Sequence, residues 1–180
     1  MYRLLVSTIQ MISQATNSKR LAVALISLLV LIGTQSLFAA GVEIPPANNL
    51  SEIGRISQQQ EIPVIVFVSR DACPYCRTLR DTILRPMLTA SKFEHRAILV
   101  EISLDRGEML TGFEDKQMTA GAFGELYQAE ITPTLLFLDS NGREVSKRLV
   151  GISNLEFYGH YLQKSTDQAL LAIRSEAQQN

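Results

Sequence analysis

The chain has no tryptophan, only two histidines and only two cysteines in 180 residues, and it carries no excess of either charge. Each scarcity excludes something. Two cysteines close at most one bridge within a chain, so this is no disulfide scaffold, and one chain cannot supply a mononuclear four-thiolate metal site. His95 and His160 stand alone, without ligand spacing, and read as surface or interface residues. A net charge of −1, from 17 basic and 18 acidic residues, argues against a nucleic-acid surface, which needs clustered Lys and Arg to neutralise phosphates. What is present is 46% apolar residues in a length that fits one domain of ordinary size with its own core.

Charge is unevenly placed. The first forty residues hold three basic side chains, Arg3, Lys19 and Arg20, and no acidic one, which leaves 14 basic against 18 acidic residues in the remainder. Lys19 and Arg20 precede an apolar run over residues 21–32, then Gly33 and the small residues Ala39, Ala40 and Gly41. Basic, apolar and small in that order is an export signal. Residues 1–40 are therefore read as a signal peptide or an N-terminal membrane anchor, since residues 21–40 approach the roughly 20 residues that span a bilayer. Thr34, Gln35 and Ser36 shorten the apolar core, which favours a cleaved signal. Translation from Met11 would give a segment of more usual length. Either way the chain beyond about residue 41 is expected on the far side of a membrane.

Residues 41–49, with Pro45-Pro46 and Asn48-Asn49, read as a linker. Leu50, Ile53 and Ile56 recur at helical spacing, giving a short helix to about Gln60 with Asn49 or Ser51 as its cap. The run Pro-Val-Ile-Val-Phe-Val over 63–68 has the composition of a strand buried on both faces. A helix follows from Arg77 to Leu84, which Pro86 should kink or end. Residues 97–103 form a second strand, residues 104–118 are more loop than element, and residues 119–127 form a short helix. Residues 134–138 make a third strand, and Asp139-Ser140-Asn141-Gly142 marks a hairpin into a fourth over 144–150. Residues 154–175 carry Leu155, Tyr158, Leu162, Ala169 and Ile173 between polar residues, an amphipathic terminal helix. The order is that of an α/β fold with a central mixed β-sheet flanked by helices, spanning residues 50–177.

The chemistry lies at Cys73-Pro74-Tyr75-Cys76. A CxxC between a strand and a helix puts the first sulfur at the helix N-terminus, where unpaired amides and the dipole favour a thiolate. Pro74 suits the first helical turn, where an N–H has no partner to lose. Cys76, one turn on, is placed to attack a mixed disulfide formed on Cys73. Cys73 is thus the nucleophile and Cys76 the resolving thiol of a dithiol–disulfide exchange. Three other readings compete. A purely structural bridge would close a loop too short to restrain much unfolded-chain entropy. Metal binding, as in a metallochaperone, would need ligands that one chain does not offer here, unless two chains share a site. A binding module could keep the pair permanently bridged and use Thr132 and residues 104–118 as its contact surface.

These features resemble the thioredoxin superfamily: the strand leading to CPYC, Ile131-Thr132-Pro133-Thr134 ahead of an apolar strand, then the Asn141-Gly142 turn, Leu149-Val150-Gly151 and a terminal helix. The resemblance implies that Thr132-Pro133 is the family's cis-proline loop and that these two residues position the substrate chain beside the sulfurs. It also departs from the pattern. Ala72 stands where classical thioredoxins have Trp, Phe67 stands where they have a buried Asp, and Asp71 is read as solvent-exposed, so proton handling for Cys76 has no assigned residue. The Pro-Tyr pair matches glutaredoxins, but their Gly-Gly pair after the cis-proline strand is absent, so glutathione specificity is not implied. The 56 residues between Cys76 and Pro133 leave little room for the inserted helical domain of the related periplasmic disulfide oxidase.

The arrangement looks most like exported thioredoxin-like proteins of Gram-negative bacteria, including those linked to sulfur oxidation or cytochrome c maturation. The resemblance implies a periplasmic thiol-disulfide oxidoreductase without a cofactor or metal, acting on protein or small-molecule disulfides and recharged by an exported or membrane redox partner. Reduction of protein disulfides is favoured over disulfide donation. The export reading is checked by intact mass and N-terminal sequence of protein expressed in a Gram-negative host. A cleaved signal gives a chain beginning near Gly41, and an anchor gives a membrane-bound chain that retains residues 21–40.

Overall fold

The computed structural model describes residues 42–178, so the export segment read over residues 1–40 lies outside the described residues. Helix α1 (Leu50–Gln60) opens the domain, with the Asn49 side chain accepting from the Glu52 amide as its cap. Strand β1 (Val64–Ser69) is buried at every position, as its unbroken apolar run requires. It is also paired on both edges, parallel to β2 (Ile98–Ser103) and antiparallel to β5 (Thr134–Leu138). Strand β6 (Glu144–Val150) pairs antiparallel with β5, giving the order β2-β1-β5-β6 in a mixed sheet.

Alternation along β1 sorts the core into two apolar layers. Ile65 and Phe67 face one side, with Cys76 and Leu79 from helix α2 (Pro74–Leu79) and Tyr158 and Leu162 from the terminal helix α5 (Leu155–Ala177). Val64, Val66 and Val68 face the other, with Leu50 of α1 and Phe123 of helix α4 (Ala120–Leu126).

Three segments depart from the sequence reading. Residues 104–118 contain a small hairpin of β3 (Met109–Thr111) and β4 (Gln117–Thr119). Its strands are too short, and too polar at the exposed positions, for alternation to register. Pro86 does not end the helix after Cys76. The chain inserts a π turn at Arg80–Leu84, in which the Arg85 amide reaches back to the Arg80 carbonyl, and continues as helix α3 (Arg85–Thr89). That widened turn accommodates a ring that would otherwise clash with the preceding turn. Within the segment read as a linker over 41–49, residues 44–49 are packed rather than free. The Ala47 amide donates to the Glu101 carbonyl at 2.9 Å and the Glu101 amide to the Pro45 carbonyl at 2.8 Å, while Ile44 and Ala47 are buried. Proline still offers a carbonyl, and an edge position does not require its missing N–H.

The hairpin turn is as the sequence indicates. Asp139 Oδ1 accepts from the Asn141 and Arg143 amides at 2.9 and 2.8 Å, and Gly142 takes a positive φ of 81°. Against this turn rests Gly54 of α1, where a Cβ would overlap the Ser140 carbonyl oxygen. Alanine is intrinsically better than glycine in a helix by about 1 kcal/mol, but overlap with a backbone oxygen cannot relax through a rotamer. Gly54→Ala is therefore expected to lower stability by about 1 to 2 kcal/mol net. A urea unfolding midpoint at or above wild type would show that α1 does not depend on this approach.

Candidate active site

The C-terminal end of β1 delivers Cys73 to the first position before α2. Cys73 is extended (φ −95°, ψ 107°) and serves as the helix N-cap, its Sγ accepting from the Cys76 amide at 3.1 Å. Pro74 occupies the first helical turn. The two cysteines are joined as a disulfide, with Cα atoms 5.2 Å apart. Their environments differ: Cys73 is half-buried, whereas Cys76 is 0% exposed within the apolar layer beside Phe67 and Leu79. One sulfur faces solvent and the other does not.

The Thr132-Pro133 peptide bond is cis. Because β1 and β5 run antiparallel, with Val68 opposite Thr134, the loop before β5 arrives at the same end of the sheet as the loop after β1. Cys73 Sγ lies 3.8 Å from the Thr132 carbonyl oxygen, and Thr134 Oγ1 donates to the Ile131 carbonyl at 2.7 Å. Arg70 ties the two loops together, donating to the Glu130 carbonyl at 2.8 Å. Tyr75 and Ile131 stand 67% and 68% exposed on this rim. Thus Cys73, Cys76, Pro74, Tyr75, Thr132 and Pro133 are gathered at one site. His95 and His160 are exposed, and among the described residues no group of three His, Cys, Asp or Glu side chains forms a metal site.

Two charged groups flank the cysteine loop. Asp71, read as exposed from sequence, is more than half exposed yet engaged: Arg106 grips its carboxylate with three contacts of 2.8 to 3.0 Å. The Asp71 amide donates to both Asp105 carboxylate oxygens at 3.0 and 3.1 Å, and Ser103 Oγ lies within 3.2 Å of Asp71 and 2.9 Å of Asp105. Hydrogen bonding from Arg106 holds the Asp71 carboxyl below its usual range, and the Asp71 amide does the same for Asp105. Deeper, the carboxylate of Glu101 on β2 is nearly enclosed. It accepts from Arg80 Nε at 3.2 Å, from Arg80 Nη2 and from the Ser69 hydroxyl. The Arg80 guanidinium also lies 5.4 Å from the centroid of the Phe67 ring.

Neither pairing, Asp71 with Arg106 nor Glu101 with Arg80, is identified by the sequence reading, although one signal was available. Glu101 interrupts the apolar run Ile98-Leu99-Val100-Glu101-Ile102, and a carboxylate in a strand destined for the core demands a cation. Arg80, one turn beyond Cys76, supplies it.

A cap-positioned cysteine, a buried second cysteine four positions into the motif and a cis-proline loop beside them, all on a four-stranded mixed sheet with helices on both faces, define the thioredoxin-fold class. A family model for the thioredoxin-like domain matches residues 51–166, and the chain belongs to that family. Among solved structures, it is similar to a DsbH oxidoreductase, at 17% identity and a TM-score of 0.53, over 74% of this chain and 92% of that one. Two others are mitochondrial thioredoxin 3 from Saccharomyces cerevisiae in its oxidised form (14% identity, TM-score 0.46, 69% and 93% covered) and the C-terminal domain of Neisseria meningitidis DsbD in its oxidised form (15%, 0.44, 64% and 90%). A search of curated protein sequences finds no match.

A depressed carboxyl contributes stability that is present above the unfolded-state pKa, about 3.9 for Asp, and is lost as pH falls through the lower folded value. Asp71→Asn should therefore cost little at pH 7, about 0.5 kcal/mol for a pair this exposed, and should flatten the loss of stability below about pH 4. Unfolding midpoints between pH 2 and 7 measure this, and an unchanged acid limb would exclude the Asp71–Arg106 pair as its source.

Proposed function

We propose that the protein is a thiol-disulfide oxidoreductase, working mainly as a reductant of protein disulfides in the periplasm. The observation that carries this reading is the unequal burial of the two bridged sulfurs at the start of α2. In the reduced state the Cys73 thiolate, stabilised by the Cys76 amide and the helix N-terminus, attacks one sulfur of a client disulfide. A Cys73–client mixed disulfide forms, the client bond breaks, and the departing client thiolate takes up a proton. The Cys76 thiol loses its proton and attacks Cys73 Sγ, releasing the second client cysteine as a thiol and leaving the Cys73–Cys76 bridge. The client gains two electrons and two protons, and an exported or membrane-bound dithiol partner returns both to the bridge.

Thr132 and Pro133 form the wall beside the attacking sulfur, and a client chain lying there meets the Thr132 backbone. The exposed faces of Tyr75 and Ile131 give that chain an apolar footing. The residues between Cys76 and Pro133 are spent on the end of the first crossover, β2, the hairpin and α4. No large inserted domain is formed there to hold an oxidant's clients, which supports the reductant direction. No helix among the described residues is long and apolar enough to cross a membrane. Export rests on residues 19–41 of the sequence.

Cys73→Ser is expected to reduce turnover of a model protein disulfide by at least about a thousandfold, since it removes the nucleophile. Cys76→Ser should still attack and accumulate a mixed disulfide, visible by mass. Retained turnover in Cys73→Ser would overturn the mechanism. The direction is read from the equilibrium of the pair against glutathione: a potential near about −270 mV agrees with a reductant, and one near about −120 mV reverses the assignment.

A further inference from the structure

Strand β6 is the outer strand of the sheet on the side of α5, and no further strand pairs with it among the described residues. Where β6 runs beside α5 the surface opens into two adjoining troughs of about 380 and 300 Å³, which share Lys147, Leu149 and Tyr161 in their walls. The first begins at Gly151 and Ser153, and the second continues along the strand toward Lys164 and Gln168. Its upper end is continuous with the catalytic loop, since the Gly151 amide donates to the Pro133 carbonyl at 2.7 Å and Val150 pairs with Thr134. The floor is apolar where Leu149 and Tyr158 meet, and the Tyr158 hydroxyl is enclosed without a hydrogen-bond partner. Along the rim, the ammonium groups of Lys147 and Lys164 are exposed, and neither has an acidic partner among the described residues.

We infer that this trough receives an extended, acidic segment of the client polypeptide as an added strand on β6, continuing from the client cysteine held at Cys73. This rests on the proposed oxidoreductase reading and extends it to the client's chemistry. A strand seated there would take the free backbone groups of β6, although Ser165 Oγ already donates to the Lys147 carbonyl at 3.3 Å. Alternate side chains of the added strand would lie against Tyr161 and between the two lysines. The lysines also decide between occupants. A second copy pairing through the same edge would bring Lys147 toward Lys147, a like-charge contact that discourages self-pairing, whereas the irregularities of β6 on either side of Ser146 bear equally on both occupants. A segment bearing Glu or Asp at alternate positions reverses the sign of that contact.

The test uses the full chain and two synthetic peptides, each with one cysteine disulfide-linked to a small thiol. One cysteine is followed by seven residues alternating Glu and Val, and the other by seven alternating Lys and Val. The acidic peptide is expected to be reduced with a kcat/KM about tenfold above the basic one, and Lys147→Glu/Lys164→Glu should erase or invert that ratio. Turnover of bis(2-hydroxyethyl) disulfide, which carries neither a strand nor a charge, should stay unchanged in the double variant. Equal kcat/KM values for the two peptides, or a preference that survives the double substitution, would overturn the inference. Binding is read separately with the same peptides carrying Ser for Cys: slowed amide exchange in β6 on adding the acidic peptide supports the strand even where no turnover is found. Slowed exchange that rises with protein concentration alone, together with sedimentation as a dimer, would assign the edge to a second copy and overturn the inference.

Discussion

Every other feature of this domain is arranged around β1, a strand paired on both edges and buried on both faces. Its parallel neighbour β2 requires a crossover, and that crossover is the helix that starts at Cys73. Its antiparallel neighbour β5 requires that the loop entering β5 sit at the end where β1 exits. These two demands place Cys73 beside Thr132 without any direct bond between the segments having to bring them together. Of the apolar residues that enforce the arrangement, Val64 to Val68 and Leu135 to Leu138, those on one face, Ile65, Phe67, Leu135 and Phe137, share a buried layer with Cys76 and close it off from solvent. Core formation and the inequality of the two sulfurs thus have one cause, the burial of this strand pair.

Most of this was legible because it rests on short-range patterns. The β-branched run over 63–68, the CPYC between strand and helix, the Asn141-Gly142 turn and the Thr132-Pro133-Thr134 entry to β5 each signal locally. What was illegible depends on pairings distant in sequence. The 44–49 segment packs because Glu101, more than fifty residues away, offers backbone groups at the edge of β2. The hairpin over 109–119 has three-residue strands whose partners are each other, and no periodicity emerges from so short a repeat. Pro86 is a known helix breaker, but whether the chain stops or widens into a π turn is decided by Leu84 having a place in the core on the far side.

The electrostatics of the site likewise escaped a residue-by-residue reading. Arg80–Glu101 is a pair at the inner margin of the core, anchored by Ser69 and covered by Phe67, whereas Asp71–Arg106 is at the surface. The two differ in what they do for the fold. An enclosed pair contributes little net stability but leaves a costly unpaired charge if either member is lost, so it specifies the packing of the helix after Cys76 against β2. The surface network instead holds the backbone just before Cys73, through the amide of Asp71 and the carboxylate of Asp105. The helix carrying the sulfurs is therefore fixed from two sides by contacts that involve neither cysteine.

The burial of Cys76 has a kinetic consequence. Because a single sulfur meets solvent, the molecule has one doorway for electrons entering and leaving. Under the proposed exchange, any disulfide that oxidises the pair and any thiol that reduces it must reach Cys73 through the same exposed opening beside Thr132 and Tyr75. No complex can hold both at once, so two such partners are served in strict alternation, and the surface around Cys73 has to suit both of them.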